Sequence, residues 1–136
     1  MTDRTYVPPQ SSEEVIRRYA RGERRFTDMD LSGSLEMSNF KGAMLAGAVF
    51  DGSELLDANF TGADLRNTSF RLCGVKLSNF QNADLRGACF EEASVEAANF
   101  EGAKYQGDEF VGAYCYSNTI KLGDGFPDYA DRDSVE

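Results

Sequence analysis

The chain has 136 residues, room for one domain, with 14 basic against 23 acidic side chains and a formal net charge of −9. That balance argues against a basic face for phosphates, and so against direct nucleic-acid binding, while it permits attraction to a basic protein surface. Three cysteines without metal-ligand spacing and no histidine leave no metal or cofactor to expect.

No apolar run approaches the length of a membrane span, and no apolar core follows Met1-Thr2-Asp3-Arg4, so neither a membrane segment nor a secretory signal is expected. A cytoplasmic protein with Cys73, Cys89 and Cys115 reduced follows from this. Residues 1–10, with Pro8-Pro9, are expected to form an extended tail. Residues 11–23 are expected to form a capping segment. Ser11-Ser12-Glu13-Glu14 matches a capping box, Val15, Ile16, Tyr19 and Ala20 make an apolar stripe at helical spacing, and Gly22 suits a left-handed stop. The spacing predicts a helix over about residues 12–21, covering the apolar end and open edges of whatever follows. Arg17, Arg18, Arg21, Arg24 and Arg25 form the only basic cluster, read as a solvated face or, alternatively, a contact for a partner or a membrane surface.

From residue 24 to 122 a large apolar residue recurs at every fifth position, as in Ala58-Asn59-Phe60-Thr61-Gly62, with a small residue two places before it and often glycine two places after. Period five fits neither a helix nor a half-buried strand, so it marks a repeat architecture. Phe takes the centre at every tenth position from Phe40 to Phe110, and Ser38-Asn39-Phe40, Ala58-Asn59-Phe60, Ser78-Asn79-Phe80 and Ala98-Asn99-Phe100 lie twenty apart. One turn of a four-sided, all-β solenoid accounts for these periods, with stacked turns pairing as parallel strands about 4.8 Å apart. The first side then has Phe40, Phe60, Phe80, Phe100 and Ile120 and the third Phe50, Phe70, Phe90 and Phe110, so that Phe faces Phe across the axis. The second has Leu45, Leu65, Leu85 and Tyr105, and the fourth Leu35, Leu55, Val75, Val95 and Cys115. Leu31 and Leu35 are four apart, so an irregular first turn is expected near Ser32-Gly33-Ser34.

The corners after the first two sides carry Gly or Asn, which predicts type II turns there. The corner after the fourth carries Met37, Asp57, Leu77, Ala97 and Ser117, which predicts a different turn. Asn39, Asn59, Asn79 and Asn99 are expected to form an amide ladder, each bonding the next turn. Asp64 with Arg66, and Asp84 with Arg86, are expected as surface ion pairs.

The repeat resembles that of the pentapeptide-repeat proteins, whose unit is written A(D/N)LXX, over about Arg24 to Leu122. The opening Arg18-Tyr19-Ala20-Arg21-Gly22-Glu23-Arg24-Arg25-Phe26 is similar to that of many cyanobacterial members. The resemblance implies a right-handed quadrilateral parallel β-helix, here of about five turns with an N-terminal α-helical cap. It implies no single activity. Some members dimerise through C-terminal helices into a DNA-like rod and bind DNA gyrase, giving quinolone resistance; some cyanobacterial relatives are thought to regulate developmental or signalling proteins. This acidic chain shares the charge that such mimicry requires. Five turns span only roughly 25 Å, and neither a C-terminal dimer helix nor an inserted loop is visible.

Candidate sites are confined to outward positions. Glu91, Glu92, Glu96 and Glu101, with Asp108 and Glu109 nearby, form an acidic stretch broken only by Lys104, read as a solvating surface or a seat for a basic partner. Asp108 falls on a small inward position, where the inside corner is expected to open as the stack ends. Val111, Tyr114 and Tyr116 suit either a partner contact or a seat for Phe126 and Tyr129. Residues 123–136 are read as a tail, its first part closing the open end and its last residues disordered. No phosphate loop or nucleophile elbow occurs, and a tight solenoid wall offers no pocket, so no enzyme is expected. The resulting expectation is a monomeric, acidic, rigid module that binds an unidentified protein partner, with the gyrase-binding DNA mimic as the alternative.

Overall fold

The computed structural model describes residues 5–32 and 35–114. Expectations that rest on Cys115, Tyr116, Ser117, Ile120 and the 123–136 tail fall outside the described residues.

Helix α1 spans Ser12–Ala20. The Ser11 hydroxyl accepts from the Glu14 amide at 3.1 Å, as the box requires, while the Glu14 carboxylate reaches back one residue past the cap and accepts from the Gln10 amide at 3.0 Å. At the other end Gly22, at φ 102°, donates to the Tyr19 carbonyl at 2.9 Å while Glu23 donates to that of Arg18 at 3.1 Å. These two bonds are the Schellman pair, and they stop the helix. Val15 is fully buried in the core formed by the repeats, and the Tyr19 hydroxyl donates to the Ala46 carbonyl at 2.6 Å.

From Asn39 onward the chain winds as a β-helix. Parallel bridges join Asn39 to Asn59, Met44 to Asp64, Val49 to Ser69 and Glu54 to Gly74, each twenty residues apart. Four bridges per twenty residues give each coil four sides. The pairing consists of isolated bridges instead of the expected strands, because a turn every five residues leaves too little straight chain to extend one. The inward residues stack as their period requires. Phe40, Phe60, Phe80 and Phe100 lie ring over ring with centroids 4.8–5.0 Å apart. Phe50, Phe70, Phe90 and Phe110 do the same at 4.8–5.1 Å, and the two stacks meet edge to face across the axis, as Phe70 and Phe80 do at 5.8 Å and 88°. All eight rings are fully buried, which stabilises by roughly 1.5–3 kcal/mol each. At the small inward positions, Ser53, Cys73 and Ser78 reach down to the coil below, donating to Phe26, Phe50 and Leu55 carbonyls.

From Phe40 to Phe100 every corner has the same build. The centre carbonyl accepts from the amide three residues on, as from Ala43 to Phe40 at 3.0 Å and from Ser78 to Val75 at 3.1 Å. The residue before that amide has positive φ: 68° at Gly42, 78° at Gly47, 61° at Leu72 and 63° at Leu77. This is the type II pattern. The fourth corner is therefore no exception, contrary to expectation: Asp57, Leu77 and Ala97 carry φ of 62°, 63° and 63°. Closing four equal sides in register needs one turn geometry throughout, and that requirement overrides a cost of about 1–2 kcal/mol for each left-handed L-residue. Replacing Leu77, which is 55% exposed, by Asn relieves that strain. Leu77→Asn is expected to raise stability by about 1 kcal/mol; a lower urea midpoint would show that the corner is unstrained.

The first coil is irregular, as expected, but its register differs. Arg25 bridges Val49 and Asp30 bridges Glu54, both twenty-four apart. Phe26 thus lies beneath Phe50 at 6.0 Å, and Leu31, whose amide donates to the Glu54 carbonyl at 3.0 Å, starts the fourth side. The expected Leu35 instead opens a 3₁₀ turn, Leu35–Ser38, that takes up the four extra residues. Four residues cannot add a side, and the stack resumes at Asn39.

The last described coil also departs from the register. Asp108 is exposed, while Glu109 is 2% exposed. The Glu109 carboxylate accepts from the amides of Gln106 at 2.8 Å, Gly107 at 2.8 Å and Gly87 at 3.1 Å. In the coils below, the amide equivalent to Gly87 donates to a main-chain carbonyl, as Gly47 does to Arg66. A side-chain carboxylate stands in for that carbonyl, and the chain opens around it at residues 106–109.

Candidate functional site

With the core filled by the stacked rings, chemistry is left to the outward residues. They form four walls. On the first, Asn39, Asn59, Asn79 and Asn99 stack in register, but the amides do not run from coil to coil as expected. Each Oδ1 accepts from the amide two residues on in its own coil, at 2.9–3.1 Å, as in Gln81 to Asn79. The short side chain reaches its own turn more directly than the next coil, so the ladder consists of stacked Asx turns.

The second wall neutralises itself. Arg66 holds Asp64 with two side-chain bonds at 2.7 and 2.8 Å, and Arg86 holds Asp84 at 2.6 and 2.8 Å. These guanidinium bonds keep both carboxyls below the usual aspartate range. Both pairs are solvent-exposed and contribute little to stability. The two arginines, with Asn67, Gly87 and Gln106, line a shallow groove of about 270 Å³. On the third wall Arg71 Nε donates to the Glu91 carboxylate at 3.1 Å, a pair that runs between coils.

The acidic stretch is not one patch. The twenty-residue register puts Glu91 and Glu92 on the third wall and its corner, Glu96 on the fourth and Glu101 on the first. The four carboxylates circle one coil as a band. Glu91, Glu92 and Glu101 are exposed and Glu96 is half-buried. Glu109 leaves the set, because its carboxylate is spent on three amides. Burial pushes its carboxyl up, yet those amides outweigh it and hold it below the usual value. Counting in twenties would have revealed the band from the sequence; nothing in the spacing revealed the Glu109 clamp. Tyr114 is half-buried on the fourth wall, bridged to Ser94, and Tyr116 lies outside the described residues.

The basic cluster is partly consumed at the start of the stack. Arg18 pairs with Glu14 and donates to the Val7 carbonyl at 2.8 Å, Arg24 lies 3.6 Å over the Tyr19 ring, and Arg25 lies 4.1 Å over the Tyr6 ring. Arg17 and Arg21 remain exposed. Cys73 is buried, which pushes its thiol up to about 12. Cys73 and Cys89 form no disulfide. Among the described residues no cluster of histidine, cysteine or carboxylates could hold a metal, and no helix is long and apolar enough to cross a membrane. Val49 and Leu56 are half-buried, whereas Met44 and Leu72 are 71% and 55% exposed.

A family model for pentapeptide repeats matches eight copies over residues 34–71 and 78–107, half of the chain. The search of curated proteins finds no match. Among solved structures the chain is similar to alr5209, a pentapeptide repeat protein from Nostoc Pcc 7120, at 24% identity and TM-score 0.54, covering 89% of this chain and 92% of that one. It is similar to Rfr23, from the cyanobacterium Cyanothece 51142, at 23% identity and TM-score 0.54 over 74% of this chain and 60% of that one. A plasmid-mediated fluoroquinolone resistance protein, QnrB1, matches at 27% identity with TM-score 0.46, over 58% of this chain and 36% of that one, so the chain spans about a third of its length. The two cyanobacterial likenesses concern the fold alone.

Proposed function

The chain belongs to the pentapeptide-repeat family, and from that premise we propose that it is a non-enzymatic, acidic protein-interaction module. In this reading a right-handed, four-sided coil of about five turns over residues 24–122 is closed at its start by the 11–23 segment. The 1–10 and 123–136 segments are its tails. It acts in the cytoplasm as a monomer and contacts neither membrane nor nucleic acid.

The observation that carries the reading is the division of labour between inside and outside. The aromatic and aliphatic centres are committed to the axis, and the second wall pairs its charges internally. What remains outward is a surplus of carboxylates on flat walls, suited to a basic protein face. Glu91, Glu92, Glu96 and Glu101 are the residues assigned to it, with Tyr114 and Tyr116 as the second contact.

Affinity capture from lysate of the source cells tests this, with the native protein run beside a variant carrying Glu→Lys at positions 91, 92, 96 and 101. The expected result is a partner held by the native chain, released by raised salt, and absent from the variant. Recovery of gyrase subunits would replace the reading by DNA mimicry. A partner kept by both baits would move the contact to Tyr114 and Tyr116, and an empty capture would sink the reading. On gel filtration a monomer is expected; an end-to-end dimer contradicts the monomeric part.

A further inference from the structure

Two leucines are placed where neither the fold nor the solvent favours them. Leu72 and Leu77 are the corner residues on either side of the fourth wall, in the same coil. Each has positive φ, 61° and 63°, and each is 55% exposed. Among the described residues the other positive-φ corners carry Gly, Asn, Asp, Glu or Ala. A bulky side chain in this conformation is costly, and exposure returns none of that cost.

Between them the wall is low. Gly74 has no side chain, and a Cβ there would run into the Glu54 carboxylate, which lies across it from the coil below. Glu54, Asp57, Glu92 and Glu96 surround the two leucines, and among the described residues none of the four forms an ion pair. Lys76 is the only base on this stretch of wall, and it is exposed. The second wall, by contrast, pairs its charges internally.

We propose that this wall docks a segment of a partner protein that presents a basic side chain flanked by apolar ones. The inference deepens the interaction-module reading and rests on it. The leucines grip the apolar flanks, and the cation lies over Gly74, within reach of Glu54 and Glu96. An arginine suits this seat, because its plane packs against aliphatic surface while its edge donates to carboxylates. Charge decides the occupant. A second copy of this chain, at net charge −9, is repelled, and so is its own 115–136 segment, with five acids against two bases.

The test is selection of random twelve-residue peptides displayed on phage against the immobilised full chain, followed by fluorescence binding of the selected peptides. The expected peptides carry Arg or Lys next to aliphatic residues. Their affinity falls at least tenfold in Leu72→Asn/Leu77→Asn and severalfold in Glu54→Gln, rises in Lys76→Glu, and is unchanged in Glu13→Gln, an exposed position on helix α1 away from this wall. Asn tolerates the left-handed corner, so the double variant is expected to melt no lower than the native chain, and its loss of binding is not unfolding. Selected peptides without basic residues, or basic peptides that bind the double variant as well as the native chain, would overturn the proposal. In the second case the interaction-module reading would stand with its site elsewhere. No enriched peptide together with an empty lysate capture would remove both.

Discussion

Phe70→Ala is expected to destabilise the protein by about 3–5 kcal/mol. Phe70 is fully buried and has four ring neighbours: Phe50 at 5.1 Å and Phe90 at 4.8 Å above and below, Phe60 at 5.6 Å and Phe80 at 5.8 Å across the axis. Truncation removes the transfer energy of the ring and every one of these contacts. The hole cannot close, because the wall around it is tied on both sides. Phe70 donates to the Cys89 carbonyl at 2.8 Å, and Ser69 to that of Ala48 at 2.9 Å. A coil that moved inward would break its ladder to both neighbours. Phe26 provides the control. Its described ring contact is a tilted one at 6.0 Å to Phe50, at the irregular start of the stack. Phe26→Ala should therefore cost clearly less. Urea denaturation decides it: a Phe70→Ala midpoint within error of the native one would contradict the stacked core.

Glu109→Ala is expected to cost about 1–3 kcal/mol, the roughly 1–3 kcal/mol lost per buried donor left unpaired being reduced because Gly87 and Gln106 are exposed and can turn to water and only Gly107 is half-buried. Three amides, those of Gly87, Gln106 and Gly107, lose their acceptor together. The effect should be local first. Amide exchange at Gly87 should accelerate in the variant, while exchange at Gly47, which donates to the Arg66 carbonyl, should not. The pH dependence has a definite sign. Burial raises the Glu109 carboxyl, but the three amides more than offset this and its folded value lies below the ordinary one. Its stabilisation is therefore complete above the unfolded value of ~4.3 and fades as the pH falls through the lower folded value. Glu109→Gln should flatten that acid-side loss. An acid profile as steep in Glu109→Gln as in the native chain would show that the clamp is not the acid-labile contact. Asp64 and Asp84 are lowered in the same direction by Arg66 and Arg86, but both pairs are open to solvent and their share is small.

The elements that were legible share one cause. A period of five with Phe at every tenth place admits one arrangement of sides, and the twenty-residue register then assigns each outward residue to a wall. The Asp64–Arg66 and Asp84–Arg86 pairs could be read because both partners lie two residues apart on one wall. The capping box and the Gly22 stop could be read because they are contained within one helix. Leu31 rather than Leu35 could not be read, since the spacing marks a slip without saying which residue continues the stack. The Asn amides misled because stacking and turn-closing use the same residue at the same place, and only the reach of the side chain separates them.

The sequence by itself therefore determined the coil: its period, its inward residues, the alternation of aromatic and aliphatic sides, and the acidic surplus on its surface. These follow from local repetition, which every unit states again. The tertiary structure alone decided the left-handed corners at Asp57, Leu77 and Ala97 and the exchange of Asp108 for Glu109. Those depend on closure. A corner must match the coils above and below it, whatever residue it carries, and a residue's neighbours there are twenty positions away in the chain.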